Sequence, residues 1–307
     1  MLFSIVNDPV ISANELNHDL NVINQWAYQW KMEFNPNSNK QATELLFSCK
    51  KNSPYHPPLF FNGTVVPKVN EQKHLGLILD SKLSFERHLN EKIIKAKKGI
   101  GIIKHLSKFL PIKTLDQMYK ALVRSHLDYC DVIYHIPTYD DFYSTYYSDR
   151  SKTDPVNTNF RFTNKVESVQ YNAALAITGC VRGTSREKLY TELGLTSLYD
   201  RRRFHRLSLF CKILNQLTPE YLRHFIPESV RRLQNTRTNR DDVIPTRTQK
   251  FKYSFFPDTS NSWNLLSSFI KNSSSLNIFK KRYMEFFNVS PNPIYGIHNP
   301  IALKYLT

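Results

Sequence analysis

The stretch WKMEFNPNSNKQATELLF, Trp30 to Phe47, sets two apolar-patterned arms around a polar turn crowded with Asn and Pro. Met32 to Phe34 and Thr43 to Phe47 read as strands, and Lys40 sits where the second arm begins. On the residues alone, Lys40 is an exposed turn charge. Upstream, the apolar run Met1 to Val6 stops at Asn7-Asp8-Pro9, the pattern of a short buried strand and its turn. Ser12 and Glu15 have capping-box spacing, and Leu16, Leu20, Ile23, Ala27 and Trp30 recur at helical intervals behind them. Downstream, Leu59 to Phe61 and Thr64 to Val66 flank Asn62-Gly63, a pair that readily takes the two positive φ angles of a type I′ turn. Lys73 to Asp80, KHLGLILD, reads as one further strand. Strands and one helix in this order predict an α+β arrangement, a small antiparallel sheet with a helix.

Beyond Ser84 the pattern turns helical. Leu89, Ile93, Ala96, Ile100, Ile103 and Leu106 share one face, and Leu115, Met118, Leu122, His126, Tyr129 and Ile133 repeat it after Pro111. Proline fits a first helical turn, so two antiparallel helices are expected. Residues 137–162 lack periodicity and read as a linker. Helices resume over Thr163 to Cys180, over Thr184 to Leu193 with Glu187 completing a second capping box, and over Leu198 to Leu217. A short helix follows Thr218-Pro219 and runs to Phe225. Residues 229–250 read as extended and basic, and Ser260 to Phe287 as two helical stretches. The expected divisions are 1–83, 84–136, 137–162, 163–228, 229–254 and 255–307.

Lys and Arg outnumber Asp and Glu by 42 to 26, a net charge of +16. Clustered cations favour a polyanionic partner, because phosphate contacts release counterions. The excess is concentrated. Between Ser84 and His126 ten basic residues face three acidic ones, and residues 201–252, opening with RRRFHR, hold thirteen against four. Lys97, Lys104 and Lys108 lie near one stripe of the first helix, away from its apolar face. The four cysteines form no CxxC pair and read as reduced thiols of an intracellular protein. No apolar run approaches the length of a membrane span, so no membrane partner is expected.

Motifs for chemistry are sparse. Asp140-Asp141 and Asp241-Asp242 resemble the aspartate pairs that hold two metals, but each lies in a polar stretch without a flanking apolar strand and reads as solvated loop. His126 and Cys130, one helical turn apart, have His135 nearby but no fourth ligand, and packing is the better reading. GIGIIK at Gly99 to Lys104 is an interrupted helix rather than a phosphate cradle. No metal site and no cofactor are expected in the chain itself.

Six stretches in order carry a resemblance: ELNHDLNVINQWAYQWKMEFNPNSNKQ, HLGLILDSKLSFERHLN, YKALVRSHLDYCDVIY, LYTELGLTSLYDRRR, SFFPDTSNSWNLL and YGIHNPIALKYLT. Together they resemble the reverse transcriptases of non-LTR (LINE-type) retrotransposons, nearest the jockey-like group. The resemblance implies a partial palm over 1–83, a helical thumb over 84–136 and a mostly α-helical C-terminal domain. KMEFNPNSNKQ is similar to palm motif D, which makes Lys40 the lysine that would assist the departing pyrophosphate as general acid. HLGLILD is similar to motif E, the primer grip, with His74, Leu75 and Gly76 at its turn. Lys92, Lys95, Lys97, Lys98, Lys104 and Lys108 of the thumb, with Arg201, Arg202 and Arg203, are the implied nucleic-acid contacts.

The implied partners are an RNA template and a DNA primer, or their hybrid, and the implied metal of the intact enzyme is Mg2+. The resemblance puts the catalytic aspartate pair ahead of Met1. The expectation is therefore a chain without polymerase activity by itself; the alternative is a non-enzymatic basic module that grips RNA–DNA duplex backbone.

Overall fold

The computed structural model describes residues 2–5, 8–34, 42–48, 50, 54–133, 158–226 and 244–289. Lys40, Asp140-Asp141, Asp241-Asp242, His135 and the linker core therefore lie outside the described residues. The chain is α+β and mostly helical, and it divides into two units, residues 1–88 and 89–307.

In the first unit, α1 spans Pro9–Gln29. Its cap is Asp8, whose carboxylate accepts from the Val10 amide at 2.8 Å, and Pro9 occupies the first turn, where a missing N–H costs nothing. The Ser12/Glu15 capping box is thus corrected: Ser12 lies inside the helix and Glu15 accepts from the Ser4 hydroxyl at 2.9 Å. Ala13 packs with Leu59 and Val66, beside Leu16, Leu20 and Phe61. Asn17 secures this contact, accepting from the Phe60 amide at 2.8 Å and donating to the Pro58 carbonyl at 3.3 Å.

Strands β1 (Phe60–Phe61) and β2 (Thr64–Val65) form the expected hairpin, with φ of 49° at Asn62 and 73° at Gly63. KHLGLILD is not one strand. β3 (Glu71–His74) turns at Leu75 and Gly76, φ 46° and 80°, into β4 (Leu77–Asp80), pairing Glu71 with Asp80 and His74 with Leu77. The two hairpins are separate antiparallel sheets rather than one. The other expected strands are corrected as well. Leu2 to Ile5 and Met32 to Phe34 are irregular and largely exposed, and Glu44 makes only an isolated parallel bridge to Lys68. Apolar residues gave these segments a strand pattern, but a strand forms only where a partner supplies its hydrogen bonds.

In the second unit α2 (Glu86–Leu106), whose first turn belongs to the preceding unit, faces α3 (Ile112–Tyr119), a π turn (Lys120–Arg124) and α4 (Ser125–Asp128). Gly99 permits the close approach: a Cβ there would stand 2.7 Å from the Leu122 carbonyl oxygen. Five helices follow: α5 (Thr158–Thr178), α6 (Arg186–Leu193), α7 (Leu198–Leu214), α8 (Glu220–His224) and α9 (Gln249–Lys252). The last are α10 (Phe255–Asn264), α11 (Ser268–Lys271) and α12 (Leu276–Val289).

The α6 cap is Ser185, and Thr184 instead donates to the Val181 carbonyl at 2.8 Å, so the second expected box also does not form. The reciprocal pair lies at Ser197 and Asp200: Ser197 Oγ accepts from the Asp200 amide at 3.0 Å and donates to its carboxylate at 2.6 Å. Leu207, Phe210, Ile213, Ile226, Trp263, Ile270, Phe279 and Tyr283 form one core, where α10 and α12 close on α7.

Candidate nucleic-acid interface

Asp80 sets the entry to α2. Its carboxylate accepts from the amides of Lys82 (3.1 Å), Ser84 (3.0 Å) and Phe85 (2.8 Å) and from the Ser84 hydroxyl (3.1 Å). Burial raises its pKa, yet these bonds outweigh burial and hold it below the ordinary aspartate value. His88, buried, accepts the Ile78 amide on Nδ1 at 3.2 Å and ties β4 to the same entry.

On α2 the buried face is Leu89, Ile93, Ala96, Gly99 and Ile103. At 3.6 residues per turn the opposite face carries Ile94, Lys98, Gly101 and His105 down its centre, with Lys97 and Lys104 along one flank and Lys95 on the other, while Lys108 lies in the turn that follows the helix. Lys95, Lys97, Lys98, Lys104 and Lys108 are exposed, and none has an ion-pair partner among the described residues. Lys92 differs: it is half-buried, with its ammonium 4.0 Å from the centre of the Tyr129 ring. The cationic field is felt by His126, whose pKa is lowered by burial and then by Lys92 and Lys95. His74 is exposed, and Leu75 beside it is 82% exposed at the tip of the β3–β4 turn.

The RRRFHR run is corrected. Arg202 and Arg203 are buried, and Arg206 is 3% exposed. Arg201 Nε holds both oxygens of Asp128 at 2.9 and 2.8 Å, Arg202 donates to the Leu127 carbonyl at 3.3 Å, and His205 Nδ1 lies 2.7 Å from Asp131. Arg206 reaches Asp258 at 3.2 Å, Thr259 at 3.1 Å and the Ser254 carbonyl at 3.0 Å. These side chains cross-link α7 to α4, to the turn after it and to α10, although Arg202 Nε and Arg203 Nε are buried with no hydrogen-bond partner among the described residues. Nothing in the run itself reveals this, because its acidic partners lie more than fifty residues away in sequence.

Asp128, Asp131 and His205 also gather ligand atoms within 4.8 Å of one another. They do not fit the magnesium that the resemblance implies, since that hard cation seeks about six oxygens and Asp128 is already occupied by Arg201. Among the described residues no helix is long and apolar enough to cross a membrane, and Cys130, Cys180 and Cys211 are free thiols.

The interior carries carboxyls of the opposite tendency to Asp80. Burial pushes Asp200 up to about 6 against the Ser197 hydrogen bond and the Arg203 charge. Burial also raises Glu167, although Tyr190 donates to it at 2.7 Å and the Leu198 amide at 3.0 Å. An acid whose folded pKa is raised binds its proton more tightly in the folded chain, so its contribution to stability falls as pH rises through the window between the two pKa values. For Asp200 that window runs from its ordinary 3.8 to about 6. Asp80 has the reverse sign and loses its contribution as pH falls through its lowered value. Thermal melts across this range should therefore show less pH-dependent loss in an Asp200→Asn variant than in the parent; identical profiles would refute the assignment.

The chain is similar to two curated proteins of fruit flies. One is the "Probable RNA-directed DNA polymerase from transposon X-element" of Drosophila melanogaster, 22% identical over 181 residues, which are 57% of this chain and 17% of that protein. The other is the "RNA-directed DNA polymerase from mobile element jockey" of Drosophila funebris, 26% identical over 132 residues, 41% of this chain and 14% of that protein. The matches thus span less than a fifth of either relative's length. No protein-family model matches the chain, and no solved structure does. The expected resemblance holds at this low identity and partial coverage: the chain is similar to RNA-directed DNA polymerases of jockey-like non-LTR retrotransposons.

Proposed function

We propose that this chain is the template–primer-gripping part of an RNA-directed DNA polymerase, with residues 1–83 as a partial palm, 84–136 as the thumb and the later helices as its support. The observation that carries this reading is the α2 face, where Lys95, Lys97, Lys98 and Lys104, with Lys108 in the turn after the helix, stand exposed without carboxylate partners among the described residues. Cations left unneutralised on one side of a rigid helix suit the phosphates of a duplex and carry no sequence preference. His74, Leu75 and Gly76 form a protruding turn of the kind that would touch a primer strand. Lys40 is assigned to the departing pyrophosphate of the intact enzyme by resemblance alone.

Fluorescence anisotropy with an RNA–DNA hybrid tests the grip. Affinity should fall steeply with salt, and replacing Lys97, Lys104 and Lys108 together by Ala should flatten the log–log salt slope by about 2–3, roughly 0.9 for each phosphate that is no longer neutralised. An unchanged slope would show that α2 does not contact phosphate. A purely binding role without chemistry shares this face, and neither reading expects primer extension by this chain alone with template, dNTPs and magnesium; extension products that disappear on Lys40→Ala would overturn that expectation.

A further inference from the structure

A second cationic surface lies at α11 and α12, away from α2 in sequence and unassigned by the resemblance. Phe269 on α11 is 61% exposed, an unusual position for a phenyl ring. Its ring is covered by a cation: Arg282 of α12 places its guanidinium carbon 4.3 Å from the ring centre. Arg282 is fixed there, because its Nη1 donates to the carbonyls of Phe269 at 2.7 Å and Asn272 at 3.3 Å at the end of α11. Two flat groups are thus held together at the surface before any ligand arrives.

The surroundings select the ligand. Between Phe269 and Phe286 there are four cations, Lys271, Lys280, Lys281 and Arg282, against the single carboxylate Glu285, although the half-buried Lys271 ammonium donates to the Asn264 carbonyl at 2.9 Å. Lys281 is 76% exposed and lies 3.9 Å from Glu285, a pairing too exposed to neutralise it. Asn272, Ser274 and Ser275 between the helices and Asn277 in the first turn of α12 are exposed and supply neutral hydrogen-bonding groups. A protein partner would use the apolar ring, but the surplus of positive charge around it favours a polyanion that also offers flat π surfaces.

We propose that Phe269 and Arg282 form a stacking site for an unpaired base of a single-stranded polynucleotide, with Lys281 and its neighbours meeting the phosphates. Stacking needs an unpaired base, so this site takes single strands, whereas the α2 face takes duplex backbone. The stacking site therefore stands or falls separately from the grip described above.

The test is binding of a fluorescent, unstructured twelve-nucleotide RNA, its DNA counterpart and an RNA–DNA hybrid to the full chain. Phe269→Ala should weaken single-strand binding about tenfold, within the range measured for removing one base–aromatic stack, and leave the hybrid unchanged. Phe269→Leu should behave as Phe269→Ala, because it keeps apolar bulk and loses the π face, while Phe269→Trp should bind at least as tightly and show indole quenching on addition of RNA. Weakened binding of the RNA alone, or of both single strands, supports the stack. Unaltered single-strand binding by Phe269→Ala, parent-like binding by Phe269→Leu, or an indole that no oligonucleotide quenches would each overturn it.

Discussion

Replacing Arg206 by alanine is expected to destabilise the second unit by about 3–5 kcal/mol, the typical cost of removing one partner from a buried charge pair. Arg206 is 3% exposed, and its guanidinium serves Asp258, Thr259 and the carbonyls of Ser254 and Phe255 at 3.0 to 3.3 Å. The shifts of the pair give the reason. Burial lowers Arg206 in spite of Asp258, and burial raises Asp258 in spite of Arg206 and Arg203. Desolvation therefore outweighs attraction on both sides, so the pair contributes little net stability while intact. Removing Arg206 leaves Asp258 desolvated with only the Arg203 charge to offset it.

Two comparisons follow from that asymmetry. Arg206→Met combined with Asp258→Leu should recover much of the loss, because neither member of the pair is then left buried without the other. Arg201→Ala should cost less than Arg206→Ala, since the Arg201 side chain is 27% exposed and its partner Asp128 keeps water and the nearby Arg124. Urea unfolding followed by circular dichroism would measure all three; an Arg206→Ala midpoint equal to the parent's would sink the account.

The residues that made the fold legible are those whose local preference agrees with their tertiary role. Asn62-Gly63 has the conformational freedom the hairpin needs, and the Leu89-to-Ile103 periodicity marks a face that is in fact buried. The misreadings have equally local causes. Leu75 takes φ 46° in the β3–β4 turn, and a leucine gives no turn signal, so KHLGLILD reads as continuous. Capping boxes at Ser12 and Thr184 gave way to Asp8 and Ser185 because a box is defined by three-residue spacing, which recurs by chance, while the helix start depends on where the chain enters.

Charge was the least legible property. The α2 lysines and the Arg201–Arg206 run look alike as sequence, yet Lys97, Lys104 and Lys108 face solvent while Arg202, Arg203 and Arg206 are interior. The difference is made by Asp128, Asp131 and Asp258, which only folding brings to α7. Arginine suits this role: its planar fork can satisfy several acceptors at once, which a lysine ammonium on a flexible stem does less well.

Gly99 and Gly101, two residues apart on α2, are expected to respond to alanine with opposite signs. At Gly99 a Cβ would meet the Leu122 carbonyl oxygen at 2.7 Å and Val123 Cγ2 at 3.1 Å. The first of these is backbone in the π turn and has little room to yield, so Gly99→Ala should force α2 away and cost about 1–3 kcal/mol, as overpacking does. At Gly101 a Cβ would meet nothing within 4 Å, and Gly101→Ala should stabilise by about 0.5–1 kcal/mol through helix propensity alone. Denaturant midpoints with an unchanged m value would establish both signs. The pair also reaches the proposed grip. Gly101→Ala adds only a methyl amid Lys97, Lys98 and Lys104 and should leave hybrid binding and its salt slope as they are. Gly99→Ala keeps every lysine but shifts the helix that carries them, so a folded variant should bind more weakly with the same slope. If Gly99→Ala matched the parent in both stability and affinity, the close packing of α2 on the π turn would not be what positions that face.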